Sequence, residues 1–448
     1  MLNLQELMAQ LNAFVWGPVM LALLVGTGLW LSLRLKGIQL RCLPRALRLV
    51  FGRRPAAGAG AGDISPFQAL TTALAATIGT GNIAGVATAI YLGGPGAIFW
   101  MWLCALVGMA TKYAEAVLAV HFREQLPDGT MQGGPMRYLS VGLGLPWLGL
   151  LFALMGSVAA FGIGSMVQSN SVAVALQASF QVSPLLTGLG LGLASALVIL
   201  GGIHRIGRVT EKLVPLMALS YMVAALVILL KNAAAIPAAL ALIFSHAFAP
   251  AAASAGFAGA TVAMAIRFGV ARGVFSNEAG LGSAPIAHAA ARTDSPVRQG
   301  LIAMTGVFFD TLIVCSLTAL VILTSGLWDS GERSSALTAL AFEAALPGAG
   351  ALIVTLGLVV FAYSTMLGWA YYGEQCIEYV FGLRARLPYR LLFCLVIVWG
   401  ALEKIGLVWD FSDAMNGAMA IPNLIGLIGL SGLVARLTRQ AFASGELR

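Results

Sequence analysis

The sequence predicts an all-α membrane protein that crosses the bilayer many times. Of its 448 residues, 59% are hydrophobic and only 10% are charged, whereas soluble proteins carry about 25% charged residues. The mean hydropathy is +0.90. Apolar stretches of the roughly 20 residues needed to cross the hydrocarbon recur along the whole chain. This composition excludes a cytosolic enzyme, and it excludes disorder, which requires low hydrophobicity.

Eleven such stretches predict eleven transmembrane helices. Their approximate ranges are 13–33, 67–91, 96–120, 147–177, 184–202, 212–230, 255–290, 300–325, 350–380, 389–405 and 413–435. The first has neither a basic n-region nor a clear cleavage site, so we interpret it as a retained helix rather than a signal peptide. The stretches 147–177 and 255–290 are too long for one straight span, so they must tilt, break or extend past the membrane surface.

The basic residues predict the orientation of the chain. With eleven spans, only Lys231, Arg333 and Lys404 fall on one side of the membrane, and 20 of the 26 lysines and arginines fall on the other. The positive-inside rule therefore predicts an outer N-terminus and a cytoplasmic C-terminus. The same distribution accounts for the net charge of +8, so the charge calls for no nucleic-acid partner.

The chain is predicted to form one transporter-sized core with short additions. We expect residues 1–62 to form an extra N-terminal helix and a basic cytoplasmic loop that ends in the Ala/Gly linker 55–62. The core would span 63–436, and 437–448 would be a cytoplasmic tail. The five cysteines show no paired spacing, so neither a disulfide framework nor a zinc site is indicated.

The second span contains a candidate helix break. Gly79 and Gly81 lie at its centre, next to Thr77, Thr80 and Asn82. Close packing by small residues is one explanation. The other is an unwound segment, which is tolerated in hydrocarbon only where the freed backbone groups line a cavity or meet a ligand. Freed carbonyl oxygens suit Na⁺, and N–H groups at the start of a half-helix suit a carboxylate.

The seventh span contains a second candidate break. Its segment 265–283 holds four glycines, two arginines and Glu278 where apolar residues are expected. Either these polar groups face a cavity, or the span ends early and Arg272 and Glu278 already lie at the interface. Spans 2 and 7 are five apart, which predicts an inverted repeat of five plus five helices, about 65–232 and 254–436.

A few other polar residues lie at membrane depth. Gln168 and Asp310 lie inside spans 4 and 8, and the pair Ser364 and Thr365 lies inside span 9. For the hydroxyl pair, the alternative to a ligand site is hydrogen bonding to carbonyls of their own helix. Near span ends, Lys112 and Glu115 are predicted to form a local ion pair. The same is predicted for Glu374 and Glu378 with the neighbouring Arg384.

Six blocks of sequence carry a resemblance to a known family. They begin at Ser65-Pro-Phe-Gln, Gly79-Thr-Gly-Asn, Gly93-Gly-Pro-Gly, Thr111-Lys-Tyr-Ala-Glu115, Gly273-Val-Phe-Ser-Asn-Glu278 and Ser364-Thr-Met-Leu-Gly-Trp369, with a further match at Asn416–Asn423. In these blocks the chain closely resembles the alanine or glycine:cation symporters, which have the leucine-transporter fold. The resemblance covers about residues 65–430.

The resemblance implies two sets of site residues. The substrate-binding set is Gly79, Thr80, Gly81, Asn82, Gln168, Phe268 and Trp369. The sodium set is Ala75, Thr77, Ile78, Asn82, Ser364 and Thr365. In that fold the first helix break holds the amino acid carboxylate on its amides, and the hydroxyl pair shares Na⁺ with carbonyls of the broken helix. Asp310 corresponds only loosely to a seventh-helix sodium ligand.

The resemblance implies sodium-coupled uptake of alanine or glycine across a bacterial inner membrane. The expected partners are the amino acid, Na⁺ and lipid; no cofactor is expected, and the protein would be monomeric. A rival is proton-coupled symport through Asp310, Glu278 or Glu374. A membrane enzyme lacks support because the four histidines are scattered and neither HExxH nor GxSxG occurs. A channel would need a filter loop, which the sequence lacks.

The predicted orientation has a direct test. A cysteine introduced at Gly58, in an otherwise cysteine-free chain, should react with a membrane-permeant maleimide but not with an impermeant one added from the periplasm, because the basic loop lies in the cytoplasm. Labelling of this cysteine by the impermeant reagent in intact cells would contradict the eleven-span topology.

Overall fold

The computed structural model describes residues 10, 15–52, 60–252, 257–403 and 405–445. Most of the predicted linker 55–62 and the end of the tail therefore lie outside the described residues. The α-helices are, in chain order, α1 (Pro18–Arg34), α2 (Ile38–Arg41), α3 (Leu43–Phe51), α4 (Pro66–Thr77), α5 (Val86–Gly93), α6 (Ala97–His121), α7 (Pro135–Arg137), α8 (Pro146–Ala159), α9 (Val167–Phe180), α10 (Pro184–Ile199), α11 (Gly202–Lys231), α12 (Ile236–His246), α13 (Val262–Asn277), α14 (Ala284–Ala289), α15 (Pro296–Val307), α16 (Ser316–Thr324), α17 (Ser334–Ala345), α18 (Gly350–Phe381), α19 (Arg386–Leu402) and α20 (Ile405–Ala443).

Other regular segments connect these helices. π-helical segments cover Gly81–Gly85, Tyr138–Gly142, Ala160–Met166 and Phe308–Cys315, and 3-10 turns cover Ala233–Ala235 and Leu383–Ala385. A short antiparallel hairpin pairs β1 (Glu124–Gln125) with β2 (Met131–Gln132). Helices dominate because each helix satisfies its own backbone hydrogen bonds, which hydrocarbon demands.

The described helices confirm a polytopic all-α membrane protein. Seven are long and apolar enough to cross a membrane, and the bent pair at 66–93 makes an eighth. The predicted first, fifth and seventh spans correspond to the shorter helices α1, α10 and α13, of 17, 16 and 16 residues. A 16-residue helix is about 24 Å long, less than the roughly 30 Å hydrocarbon thickness. The total of eleven spans therefore stays a prediction.

Several predicted helix ends are wrong, because hydropathy marks the apolar part of a helix and not the residues at which the helix begins and ends. Span 6 was expected at 212–230, but α11 begins at Gly202 and carries Arg205 and Arg208 in its first turns. Span 11 was expected at 413–435, but α20 covers Ile405–Ala443. Charged residues lower hydropathy without stopping a helix, since Arg is a good helix former.

The second span breaks where the glycines predict. A capping box between Ser65 and Gln68, with Pro66 in the first turn, starts α4. The helix ends at Thr77, and Ile78 is extended, with φ −75° and ψ 92°. The chain then resumes as the π-helical segment Gly81–Gly85, and the two halves of the span are bent by 50°.

The other long stretches behave differently. In 255–290, α13 ends at Asn277; Glu278 is left-handed with φ 56°, and Gly280 and Gly282 have φ 91° and 82° before α14 begins. Glycine adopts the positive φ of Gly280 and Gly282 without strain, because it has no Cβ. The stretch 147–177, by contrast, stays helical throughout, because a π-helical segment at Ala160–Met166 joins α8 to α9 without a break.

Glycines bring the broken helices into contact with their neighbours. A Cβ on Gly81 would lie 3.1 Å from the Cα of Ser276, at the end of α13. A Cβ on Gly368, in α18, would lie 2.9 Å from the backbone nitrogen of Ala76, in α4. The first approach places the break of the second span against the end of α13, and the second places the last turn of α4 against the middle of α18.

A backbone clasp joins the segment before α4 to the segment after α14. The N–H groups of Asp63 and Ile64 donate to the carbonyl of Ala290 at 2.8 and 3.1 Å, and the N–H of Arg292 donates to the carbonyl of Ile64 at 2.7 Å. The guanidinium of Arg123 closes the clasp. It donates to the carbonyls of Ala61, Ala289, Ala291 and Thr293 at 2.8, 2.9, 2.6 and 2.6 Å.

The contact at Gly368 predicts a stability difference between two glycines. Gly368→Ala should cost about 1–3 kcal/mol, because a methyl group has no room against Ala76. Gly190→Ala, on α10 where nothing lies within 4 Å, should gain up to about 1 kcal/mol from helix propensity. Thermal melts of the purified variants in detergent compare the two. Equal melting temperatures would show that α4 and α18 do not approach this closely.

Candidate functional site

Two helices contribute oxygen atoms to one cluster beside the first break. The hydroxyl of Ser364 lies 3.2 Å from the carbonyl oxygen of Ala75 and 3.4 Å from that of Ile78. The hydroxyl of Thr365 lies 3.1 Å from the same oxygen of Ala75. Both hydroxyls also lie close to the carbonyl oxygen of Phe361, at 2.8 and 3.1 Å. Five uncharged oxygens therefore converge on one buried spot.

This cluster combines the two explanations that the sequence left open. The hydroxyls do bond their own helix, at Phe361, and they also reach the carbonyls freed by the break. The carbonyl of Phe361 was missed, although it lies three and four residues before the hydroxyl pair, the spacing of side chain to backbone bonding in helices. Gly79 makes room for the cluster, since a Cβ there would lie 2.3 Å from the Thr365 hydroxyl.

Side chains hold the backbone N–H groups at the same break. The Asn82 amide oxygen accepts from the N–H of Gly79 at 2.9 Å. The Gln168 amide oxygen lies 3.4 Å from the nitrogen of Thr80, a long hydrogen bond. The hydroxyl of Thr80 is buried and has no hydrogen-bond partner among the described residues. This end of the break therefore offers donors that are weakly satisfied.

The position of Gln168 depends on the π-helical segment before it. Its amide nitrogen donates to the carbonyl of Ile163 at 2.9 Å, a carbonyl that lies in the wider turn at Ala160–Met166. Such turns leave backbone groups free for side chains and are frequent at functional sites. The turn thus fixes the Gln168 oxygen toward Thr80.

A buried carboxylate lies on the other side of Asn82. The Asn82 amide nitrogen donates to Asp310 Oδ1 at 2.7 Å, and the hydroxyls of Ser276 and Thr311 donate to Asp310 Oδ2 at 2.9 and 2.6 Å. Asp310 is fully buried and forms no salt bridge within the described residues. The sulfur of Cys315 lies 3.3 Å from both Asn82 Nδ2 and Ser276 Oγ. The resemblance matched Asp310 only loosely to a sodium ligand, and Ser276 and Cys315 were not among the predicted site residues.

Trp369 links the site to the second break. Its indole nitrogen donates to Glu278 Oε1 at 2.7 Å, and Ser283 donates to Glu278 Oε2 at 2.6 Å. The indole packs against Gly164, where a Cβ would lie 2.2 Å from that of Trp369. Trp369 and Glu278 are both buried. The carboxylate of Glu278 therefore fixes the orientation of the ring.

Two predicted residues do not join the others. The Thr77 hydroxyl bonds the carbonyl of Leu74 in its own helix at 3.3 Å. Phe268 lies ten residues before the second break, and its ring packs with the guanidinium of Arg267. The prediction placed the second break near Phe268, which is too early in the sequence, because α13 continues to Asn277. Phe275 lies against the first break instead, with a ring carbon 3.4 Å from a Cβ built on Gly81.

The predicted local ion pairs are also wrong. Glu115 Oε1 accepts from the N–H groups of Gly280 and Gly282, at 3.1 Å each, and from Asn423 Nδ2 at 2.7 Å. The buried Lys112 ammonium has no hydrogen-bond partner in the described part of the chain. Near the end of α18, Glu374 pairs with Arg390 at 2.6 Å and Glu378 with Arg386 at 2.9 Å, rather than with Arg384.

Charged and aromatic groups cover the site on the side where α20 begins. Arg272 forms a salt bridge with Asp413. The rings of Phe275 and Trp409 stack with centroids 5.2 Å apart, and the Arg272 guanidinium lies 5.3 and 5.5 Å from them. Cation–π contacts of this kind add to the ion pair. This cover lies directly next to the end of α13.

The chemistry of the cluster favours a hard cation of low charge. The described residues contain no group of three or more His, Cys, Asp or Glu side chains suited to a metal ion. The five oxygens beside the first break are carbonyls and hydroxyls. Hard cations prefer oxygen ligands, and uncharged oxygens do not supply the charge that divalent ions usually require.

Comparisons with known proteins identify a family. The sequence model of the sodium:alanine symporter family matches residues 1–445. The "Sodium/alanine symporter AgcS" of Methanococcus maripaludis is 56% identical over 451 residues, covering 99% of this chain and 98% of that protein. The "Probable sodium/glutamine symporter GlnT" of Bacillus subtilis is 37% identical, covering 96% of this chain and 89% of that protein.

A solved structure confirms the fold. The crystal structure of MhsT in complex with L-phenylalanine superposes with a TM-score of 0.59 and covers 85% of this chain and 99% of that chain. At 14% identity this likeness establishes only the leucine-transporter fold. The relatives are transporters, so the expectation that the chain is not an enzyme is confirmed.

Proposed function

The chain belongs to the sodium:alanine symporter family, and from this premise we propose that it couples Na⁺ entry to the uptake of a small neutral amino acid, alanine or glycine. The observation that carries this proposal is the cluster of five oxygens between the broken helix α4 and the hydroxyl pair of α18. The matched relative from Methanococcus maripaludis bears the name of a sodium/alanine symporter, which supports the same substrates.

Na⁺ fits the oxygen cluster because both hydroxyls can exchange roles. As described, each hydroxyl is a hydrogen-bond donor: Ser364 lies within reach of the carbonyls of Ala75, Ile78 and Phe361, and Thr365 of those of Ala75 and Phe361. A hydroxyl also carries acceptor lone pairs and rotates freely. When Na⁺ enters, the hydroxyls turn their oxygens toward it, and the carbonyls coordinate the ion instead of accepting hydrogen bonds.

The amino acid carboxylate fits the N–H groups that follow. Thr80 and Gly81 lie at the start of the second half of the span, where the helix dipole favours negative charge. The long contact between Gln168 and the Thr80 nitrogen is one that a carboxylate can replace, and the unpartnered Thr80 hydroxyl offers a further donor. Trp369 and Phe275 would form apolar walls around a side chain no larger than a methyl group.

Asp310 and its neighbours would form a site for a second cation. Among the described residues the carboxylate receives hydrogen bonds only from uncharged groups, so a cation bound there would offset its burial. A Na⁺ held by Asp310 and Asn82 would lie beside the substrate carboxylate, so each would strengthen the binding of the other. Proton uptake by Asp310 is the alternative coupling reaction that this geometry favours. Glu374 suits it less, because two arginines already pair with it.

Two sets of contacts, one on each side of the proposed site, suit alternating access. The Arg272–Asp413 pair with its aromatic stack would close the outer side, and the Arg123 clasp would close the cytoplasmic side. We expect an inner-membrane protein with an outer N-terminus that works as a monomer. The driving force is adequate, since Na⁺ entry down 100 mV yields about 2.3 kcal/mol and a tenfold gradient adds about 1.4 kcal/mol, enough for several-hundredfold accumulation of a zwitterion.

Uptake by vesicles containing the purified protein tests this function. Labelled alanine or glycine should accumulate with inward Na⁺ and not with choline at the same pH, and an excess of glutamine should compete poorly, because the pocket is small. Accumulation in choline driven by a pH gradient would favour proton coupling. Strong competition by glutamine would contradict the size limit.

The oxygen cluster predicts a change in Na⁺ dependence. Ser364→Ala with Thr365→Val removes two of the five oxygens and should raise the Na⁺ concentration for half-maximal uptake by roughly tenfold to a hundredfold. Uptake at saturating Na⁺ should fall less, because the substrate contacts lie elsewhere.

A matched control separates this effect from a general loss of buried hydroxyls. Ser171 and Thr305 are buried, and within the described part of the chain their hydroxyls bond only carbonyls of their own helices, at 2.7 and 2.6 Å. Ser171→Ala with Thr305→Val should leave the Na⁺ dependence unchanged. The same Na⁺ dependence in both double variants would refute the sodium site.

A further inference from the structure

The cytoplasmic end of α1 has two cavities that the transport site does not use. After α1 the chain turns sharply at Lys36 and Gly37, whose φ angles are 55° and 66°, and continues as α2 and α3. One cavity, of about 470 Å³, lies between this turn and the end of α20. The other, of about 310 Å³, lies along α3. They are neighbours, since Arg41, Cys42 and Phe442 line both.

The two cavities are strongly basic. Their lining includes six cationic side chains and no aspartate or glutamate: Arg34, Lys36, Arg41, Arg45, Arg48 and Arg439. Within the described ranges none of the six forms a salt bridge with a carboxylate. Arginines on other parts of the protein do find such partners, as Arg386 and Arg390 show. Six cations that pair with no carboxylate among the described residues, placed around two neighbouring cavities, suit an anionic ligand.

Several of these cations are held in place by contacts that leave donors free. Arg34 stacks on Trp30 at 5.4 Å, and Arg45 stacks on Phe442 at 5.5 Å. Arg41 donates a single hydrogen bond, to the carbonyl of Lys36 at 3.3 Å. A guanidinium has five donors, so stacking orients it while its remaining N–H groups stay available to phosphate oxygens.

Apolar side chains also line and flank the two cavities, which together we call the basic groove. Leu35, Ile38 and Cys42 are buried and line the larger cavity. Leu33 and Leu40, the sequence neighbours of Arg34 and Arg41, are 68% and 64% exposed. A ligand in this groove would thus meet both guanidinium groups and aliphatic side chains, which is the chemistry of a phospholipid.

We propose that this groove binds an anionic phospholipid with two phosphates, one phosphate in each cavity and the acyl chains along α1. Basic pockets between helices at the cytoplasmic surface are suited to such headgroups. The positive-inside rule alone explains an excess of basic residues on this side. The rule does not require these basic residues to surround cavities that are also lined by buried apolar side chains. Arg205, Arg208 and Lys212, which lie on α11 on the same side and line neither cavity, are the comparison.

Binding of cardiolipin, a phospholipid with two phosphates, to the purified detergent-solubilised protein tests the proposal. Native mass spectrometry at a series of cardiolipin concentrations measures the bound lipid. Arg41→Gln with Arg45→Gln and Arg439→Gln should weaken cardiolipin binding on the order of a hundredfold, since each basic residue near an anionic surface contributes about fivefold. The conservative triple change to lysine should restore most of the binding.

The matched control is Arg205→Gln with Arg208→Gln and Lys212→Gln, which should bind cardiolipin as the unchanged protein does. Melting temperatures without lipid should agree between the two glutamine variants, because both sets include arginines that donate to backbone carbonyls, and no altered cation pairs with a carboxylate among the described residues. Phosphatidylglycerol, with one phosphate, should bind more weakly than cardiolipin, and soluble pyrophosphate should not displace cardiolipin. Equal losses in the two glutamine variants, equal binding of the two lipids, or displacement by pyrophosphate would each overturn the proposal.

Discussion

The structure depends on one constraint: a helix that stops inside the membrane must have its freed backbone groups satisfied by other parts of the protein. The break after Thr77 frees the carbonyls of Ala75 and Ile78, and the hydroxyls of Ser364 and Thr365 meet them. The same break frees the N–H groups of Gly79 and Thr80, which the amides of Asn82 and Gln168 meet. The site is therefore built from the groups that make the broken helix tolerable.

The second break obeys the same constraint with charged groups. Glu115 accepts the N–H groups of Gly280 and Gly282 together with the amide of Asn423. Each of these three hydrogen bonds is made to a charged acceptor, and such bonds are stronger than those between neutral groups. Glu278 meanwhile ties the left-handed turn to Trp369. Movement of this turn would therefore be transmitted to the wall of the proposed pocket.

What the sequence predicts well is local, and what it misses depends on contacts between distant segments. The break at Gly79–Gly81 is predictable because glycine and polar residues interrupt an apolar run. The contact of Asp310 with Asn82 joins residues 228 positions apart, so no spacing rule reveals it. The expected pairing of Lys112 with Glu115 rests on helical spacing, which cannot anticipate that the amides of a remote turn compete for the carboxylate. The placement of Phe268 at the site was wrong because it assumed an earlier break, whereas α13 ends only at Glu278 and the glycines after it.

The first break would also link ion binding to substrate binding. In the described conformation, each freed backbone group at the first break is held by a side chain that a ligand can replace. Na⁺ would replace the hydroxyl hydrogen bonds at the carbonyl oxygens of Ala75 and Ile78. A carboxylate would replace the Gln168 oxygen as the acceptor for the Thr80 N–H group. These backbone groups lie within six consecutive residues, so fixing the carbonyls with an ion also fixes the direction of the N–H groups that follow. The first ligand to bind would therefore bear most of the ordering cost of the segment, and the second would bind to an arrangement already formed, which is a positive coupling free energy between the two sites.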